Sequence, residues 1–320
     1  MKAYILRRLL QTVFVIIIVT LIVFFMMHLM PGDPILMYIS QDEYAEASVT
    51  PEQIEALRHK FGLDRPIMVQ YLDWMSGVIR GDLGVSILKE TTVAYEIGVA
   101  MPKTVHLGLM AFILSIIIGV PAGVICAVRR GKWMDTAVTT LANIGITAPI
   151  FWVGILLIYL FGLYLEILPI YGYTSPSDDF WMSTKQSILP VLCLTLFPLA
   201  GSARQTRSAM LEVLREDYIR TAWSKGLTER VIIMRHALKN SLIPVVTLKG
   251  MTIRAIFGGQ VLVETIFNIP GMGRLAVDAL FSNDYAVVQG TVLVIATVVT
   301  LANLLIDLSY SWLDPRVRYG

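Results

Sequence analysis

The sequence predicts an all-α membrane protein with six transmembrane helices and both termini cytoplasmic. A helical extracytoplasmic segment lies between helices 1 and 2, and a cytoplasmic amphipathic helix lies between helices 4 and 5. Three observations predict this. Of 320 residues, 56% are hydrophobic and only 16% charged, against roughly half and about a quarter in a soluble domain. Apolar runs of the ~20 residues that cross a bilayer recur along the chain. Basic residues gather in alternate connecting segments, the asymmetry that orients short loops. The same figures exclude other classes. A net charge of +2 is too small to imply a nucleic-acid partner. Two cysteines, Cys126 and Cys193, exclude a disulfide scaffold and a cysteine-rich zinc module. Both sit in apolar runs, where a lone Cys behaves as a small hydrophobe.

The spans follow in order. Leu9 to Met30 is predominantly apolar and carries no charge. It follows Lys2, Arg7 and Arg8 as a signal peptide would, but it exceeds the ~7–15 residues of a signal core and no small-residue cleavage site follows. It reads as a retained first span. The second is Thr104 to Val128 and the third roughly Thr136 to Leu163. The fourth, about Ser187 to Ser202, is the weakest and is broken by Pro198. The fifth, about Leu242 to Val263, carries Lys249 and Arg254, and the sixth is Ala286 to Ile306. Pro149, Pro190, Pro198 and Pro244 lie in or beside spans, where they commonly make kinks.

Between the spans, charge alternates. Pro31 to Ala100 holds eleven acidic and five basic residues. Arg129, Arg130 and Lys132 follow the second span, and the loop after the third has only Lys185. Eight basic residues, from Arg204 to Lys239, follow the fourth, and Arg274 alone lies between the last two. The basic segments fall on one side, which requires an even number of spans.

Two connecting segments are too large to be plain loops. In Pro31 to Ala100, Thr50-Pro51-Glu52-Gln53 reads as a helix start. Ile54, Leu57 and Phe61 follow at helical spacing, and Gly62 can end the helix. Pro66 opens a second helix carrying Ile67, Tyr71, Trp74 and Met75, closing near Gly81. This segment suits either a lid on the outer ends of the spans or a platform for an extracytoplasmic partner. In Arg204 to Lys239, Tyr218, Ile219, Ala222 and Trp223 form an apolar stripe at helical spacing, Gly226 breaks the helix, and Thr228 can cap another. Such a helix suits the lipid surface or a groove on a partner protein. Small residues at Ala222 and Gly226 favour close protein packing.

The run Glu216-Asp217-Tyr218-Ile219-Arg220-Thr221-Ala222-Trp223-Ser224-Lys225-Gly226-Leu227 resembles the EAA loop of ABC importer permeases. It looks closest to the dipeptide/oligopeptide/nickel branch and resembles the dipeptide permease B type. The final Ala and the Gly four residues later match the general motif. Arg220 and Thr221 replace its Glu and first Ala, as is usual in the peptide branch. Further matches run along the whole chain: Pro31-Gly32-Asp33-Pro34, Gly81-Asp82-Leu83-Gly84 with Ser86, Glu264-Thr265-Ile266-Phe267, Pro270-Gly271-Met272-Gly273 and Leu313-Asp314-Pro315-Arg316-Val317-Arg318.

The resemblance implies an inward transporter moving di- or oligopeptides across a bacterial or archaeal cytoplasmic membrane by alternating access. It implies a second homologous permease, two ABC ATPase subunits that bind ATP and Mg, and an extracytoplasmic solute-binding protein, with membrane lipid around the spans. The chain would divide into residues 1–100 and a five-helix core, 101–320, with the coupling loop at about 204–240. Asp217, Tyr218, Ile219, Ala222, Trp223 and Gly226 would couple to an ATPase, the apolar four as contact face and Gly226 as the turn. No Gly-Lys-Ser/Thr phosphate loop is present in the sequence, so ATP hydrolysis is expected from other chains, and this chain is expected to be neither an enzyme nor a cofactor carrier.

Charged groups at mid-bilayer are costly and usually face a cavity or a partner. Lys249 and Arg254 read either as a buried, neutralised pair or as lining of the translocation path. His28, His59, His106 and His236 show no metal-ligand spacing. A nickel or metal-chelate importer is the nearest alternative. An ion-driven secondary transporter would want paired repeats and intramembrane carboxylates, and a haem subunit paired histidines; neither pattern is present in the sequence.

Overall fold

A computed structural model describes residues 2–40 and 50–313, without the side chains of residues 2–6, 243, 247, 248, 250–259 and 305–313. The closing motif from Asp314 onward lies outside the described residues. Every regular element among the described residues is a helix, apart from an isolated bridge between Val85 and Thr92. Four helical stretches are long and apolar enough to cross a membrane: Arg7–Leu29, Val93–Val128, Phe180–Val213 and Tyr285–Leu304. A bent pair, Trp133–Thr147 with Ile150–Tyr164, makes a fifth if counted as one span. The described residues form two compact units, Met1–Thr104 with Pro270–Leu304, and Val105–Ile269 with Leu305–Gly320. The first unit thus takes in a stretch that the sequence division leaves with the C-terminal part.

The first unit contains α1 (Lys2–Leu29), α2 (Pro34–Ile39), α3 (Pro51–Lys60), α4 (Ile67–Ile79), the start of α5 (Val93–Val128), α11 (Met272–Phe281) and most of α12 (Tyr285–Leu313). Sequence reasoning did not find α2 and α11. Asp33 starts α2, its Oδ1 accepting from Ile35 N at 2.9 Å, with Pro34 preset for the first turn. The α3 start follows its capping signature: Thr50 N donates to Gln53 Oε1 at 2.9 Å. Gly62 (φ +67°) and Gly81 (φ +86°) close α3 and α4 in the left-handed region, which favours glycine. Met27, Val93, Ile97, Ala100, Met272, Ala279, Val287 and Val288 form the core, each larger side chain contributing about 1.5–3 kcal/mol by burial. Polar ties fix the segment between α1 and α5. Arg58 donates to Asp33, Arg65 to Asp73 at 2.7 Å, and Ser86 Oγ to buried Asp284, the residue before α12.

In the second unit lie the rest of α5, α6 (Trp133–Thr147), α7 (Ile150–Leu157, prolonged by a π turn, Ile158–Tyr164), α8 (Phe180–Val213), α9 (Asp217–Ser224) and α10 (Leu238–Ile266). Two expectations change here. The third run is not one straight helix: α6 and α7 bend by 107°. The cause is Pro149, which disfavours the helical conformation of the residue before it, so Ala148 is extended at ψ 128°. Conversely, Pro198 does not break the fourth run. α8 continues for 34 residues through both Pro190 and Pro198. Close packing holds it. A Cβ on Gly119 of α5 would come within 2.8 Å of Leu199 O, and one on Gly123 within 2.5 Å of Ala203 O. Such glycines let two backbones approach, as at small-residue helix crossings in membranes.

Candidate functional site

The site centres on α9. Beneath it, the ends of α5 and α8 and the π turn Ile232–Ala237 supply a small apolar cluster: Ala127, Met210, Ile232 and Ala237. Ile219 and Ala222 plug into that cluster and are 1% and 6% exposed, whereas Tyr218 and Trp223 are 42% and 49% exposed. The stripe read from the sequence as one contact face is therefore divided. Residues 218 and 222 lie ~40° apart on a helix, as do 219 and 223, but 218 and 219 lie ~100° apart. So wide a stripe meets both the chain's own core and open surface. Only Tyr218 and Trp223 of the four present much surface to another molecule.

The helix is closed by hydrogen bonds from both residues after the cap. Gly226 N donates to Trp223 O at 2.9 Å and Leu227 N to Ala222 O at 3.4 Å, the paired bonds of a Schellman motif. Leu227 packs on the same cluster as Ala222, the apolar contact that accompanies this motif. Gly226 has φ +74°, and no atom lies within 4 Å of where its Cβ would be. The requirement for glycine is thus conformational and not steric. At the other end of α9, Asp217 is exposed and accepts from Arg220 at 3.2 Å, a pair contributing ~1 kcal/mol at most. Tyr218 Oη accepts from Asn240 Nδ2 at 2.7 Å, which orients the ring.

A partly buried ion pair that sequence reasoning missed stands behind this assembly. Arg207 of α8 donates through Nε to Asp135 Oδ1 at 2.7 Å and through Nη2 to Oδ2 at 2.9 Å. Gly131 N and Thr139 Oγ1 also donate to Asp135. The pair ties the start of α6 to α8, three residues before Met210 of the cluster. The sequence offers a carboxylate just after the basic run Arg129, Arg130, Lys132, but nothing in it points to Arg207 as the partner.

Lys249 is buried, and its Nζ donates to Ser115 Oγ at 2.7 Å and to Pro198 O at 3.4 Å, lying 5.8 Å from the centroid of the Phe112 ring. In this conformation it ties α5, α8 and α10 together with neutral oxygens as partners. The side chain of Arg254 lies outside the described residues. His28 bonds Phe24 O and Gln70, and His106 bonds Tyr173 at 3.0 Å. Among the described residues no three His, Cys, Asp or Glu side chains come together as a metal site would require.

Residues 119–319 match the family described as binding-protein-dependent transport system inner membrane component, and residues 1–108 match the N-terminal part of such membrane components. The chain belongs to this permease family. It is 40% identical to the dipeptide transport system permease protein DppB of Escherichia coli (strain K12), covering 100% of this chain and 99% of that one. A probable peptide ABC transporter permease of Sinorhizobium fredii is 39% identical over the full length of both. Among solved structures, the fold is similar to an inward-facing form of the MetNI methionine ABC transporter, with TM-score 0.56, 19% identity and coverage of 69% of this chain and 97% of that chain.

Proposed function

We propose that this chain is the permease subunit of an ATP-driven ABC importer that carries di- and oligopeptides inward by alternating access. Full-length likeness to peptide permeases supports the substrate class. The divided α9 carries the mechanism: the centre of its apolar stripe is locked into the chain's own core, and the two margins, ~140° apart on the helix, present Tyr218 and Trp223. A helix built this way moves with the bundle when something outside grips its exposed side. Two separate ATPase subunits would hold that side, one for each of two homologous permeases. Closure of the ATPase dimer on ATP would draw the coupling helices together and reopen the path outward. Hydrolysis would reset it. A solute-binding protein would deliver the peptide.

The proposed topology has six crossings: α1, α5, the bent α6–α7 pair, α8, α10 and α12, in a bacterial or archaeal cytoplasmic membrane. α10 has 29 residues, about 43 Å at helical rise, and is long enough despite Lys249 and Arg254. The basic stretches support a cytoplasmic location for both termini and α9. Lys249 and Arg254 remain the proposed path-lining cations. Unchanged uptake of acidic, neutral and basic dipeptides by Arg254→Gln would remove it from the path.

The decisive experiment reconstitutes the chain with its partner permease, ATPases and binding protein in vesicles, and compares labelled dipeptide with nickel as cargo. ATP-dependent dipeptide uptake is expected, with Gly226→Asp inserted but uncoupled. Nickel uptake without peptide uptake would overturn the substrate class. Normal peptide uptake by Gly226→Asp would overturn the coupling assignment.

A further inference from the structure

Beside the α9 assembly, within the second unit, lies a groove of about 1190 Å³. Its lining is of two kinds. Val124, Ile125, Val128, Val231, Ile233 and Met234 make an apolar floor, and Arg129, Lys132, Arg230 and Arg235 supply four cations against the single carboxylate of Glu229. None of the four cationic side chains has an ion-pair or hydrogen-bond partner among the described residues. Arg58, Arg65 and Arg207, by contrast, each meet a carboxylate. Four unpaired cations around one apolar floor call for a ligand with an anionic head and an apolar body.

The floor says which ligand. Val124, Ile125 and Val128 are the last turns of α5, the most uninterrupted apolar helix of this unit, and Ile125, Val231 and Met234 are exposed. Trp133, at the start of α6, is exposed as well and marks the depth at which interfacial tryptophans sit. A groove that is apolar on the span side and cationic at the span's end matches the headgroup boundary of a bilayer. Basic pockets between helices on the cytoplasmic side are suited to phosphodiester headgroups. A docking face for a protein would not need a floor continuous with the lipid-facing helix.

We propose that this groove binds an anionic phospholipid of the inner leaflet. Its phosphate would be held by Arg129, Lys132, Arg230 and Arg235, and an acyl chain would run along Ile125, Val231 and Met234. Because Glu229–Val231 and the π turn Ile232–Ala237 form one wall, the lipid would brace the segment that follows the Gly226 turn.

The inference rests on the membrane topology proposed above and not on the cargo, and its test reads lipid directly. Full-length chain co-expressed with its partner subunits is purified, and competitive retention of phosphatidylglycerol against phosphatidylcholine is counted by native mass spectrometry. The variants are Arg230→Gln/Arg235→Gln, Arg129→Gln/Lys132→Gln and the control Lys185→Gln. The wild type and the control should prefer phosphatidylglycerol. Each cation removed from the groove should weaken that preference about fivefold, the equivalent of ~1 kcal/mol. Equal retention of the two lipids by the wild type would overturn the proposal, as would an undiminished preference in both double variants. Loss of the ATPase subunits with lipid preference intact would assign the groove to a protein partner instead, and equally overturn it.

Discussion

The acidic segment 31–92 and the basic segment 214–239 are of comparable importance to the chain but are held in opposite ways. Several charges of the acidic segment are met by near neighbours: Asp33 caps α2 and accepts from Arg58, and Asp73 accepts from Arg65, while Ser86 ties the segment to Asp284 outside it. The basic segment is held by apolar packing of Ile219, Ala222, Leu227 and Ile232. Its cations Arg230 and Arg235 stay unpaired among the described residues, and the short Asp217–Arg220 pair is fully surface-borne. A segment whose charges are met in this way has fewer left for other molecules. One held from beneath by apolar residues keeps its polar face for other molecules, and that is what a coupling element requires.

Predictions test this contrast in order of expected effect. Ile219→Ala removes the deepest plug of α9, and a buried Ile→Ala change costs about 2–5 kcal/mol. Thermal unfolding of the purified chain should show a clear fall in Tm, with α9 the first region to exchange amide hydrogens. Gly226→Val forces a β-branched residue into φ +74°, where left-handed backbone costs roughly 1–2 kcal/mol even for ordinary side chains. Gly226→Asn, which tolerates that region, should be milder by the same measurement, because nothing lies near the missing Cβ. Equal damage from both would point to a steric role. In the acidic segment, Asp33→Ala loses a helix cap and a partly exposed ion pair, about 1 kcal/mol. Amide exchange of α2 should then speed up while dipeptide uptake persists. Trp223→Ala, at an exposed position, should alter stability by less than ~0.5 kcal/mol.

Much of this architecture was legible in the sequence, because its causes are local. The α3 start is written in Thr50 and Gln53, and its end in Gly62; the turn after α9 is written in Gly226. What was not legible depends on distant partners. Pro149 bends the chain by 107° whereas Pro198 leaves α8 unbroken, and proline chemistry alone does not separate the two. The tight backing of α8 by Gly119 and Gly123 of α5 does. Likewise the four-residue stripe of α9 looked like one face until its neighbours were known. Ile219 and Ala222 turned out to serve the fold and Tyr218 and Trp223 the surface. Asp135 and Arg207 lie 72 positions apart in the chain, beyond the reach of any periodicity argument.

The central claim is that α9 folds through the buried centre of its apolar stripe and couples through the exposed margins, Tyr218 and Trp223. Its most direct measurement is peptide-stimulated ATP hydrolysis by the reconstituted transporter carrying Tyr218→Ala/Trp223→Ala, read beside the Tm of the same preparation. The account predicts a Tm lowered only slightly, by loss of the Tyr218–Asn240 bond, with loss of stimulated hydrolysis and of ATPase co-purification. Full stimulation at that Tm would contradict it.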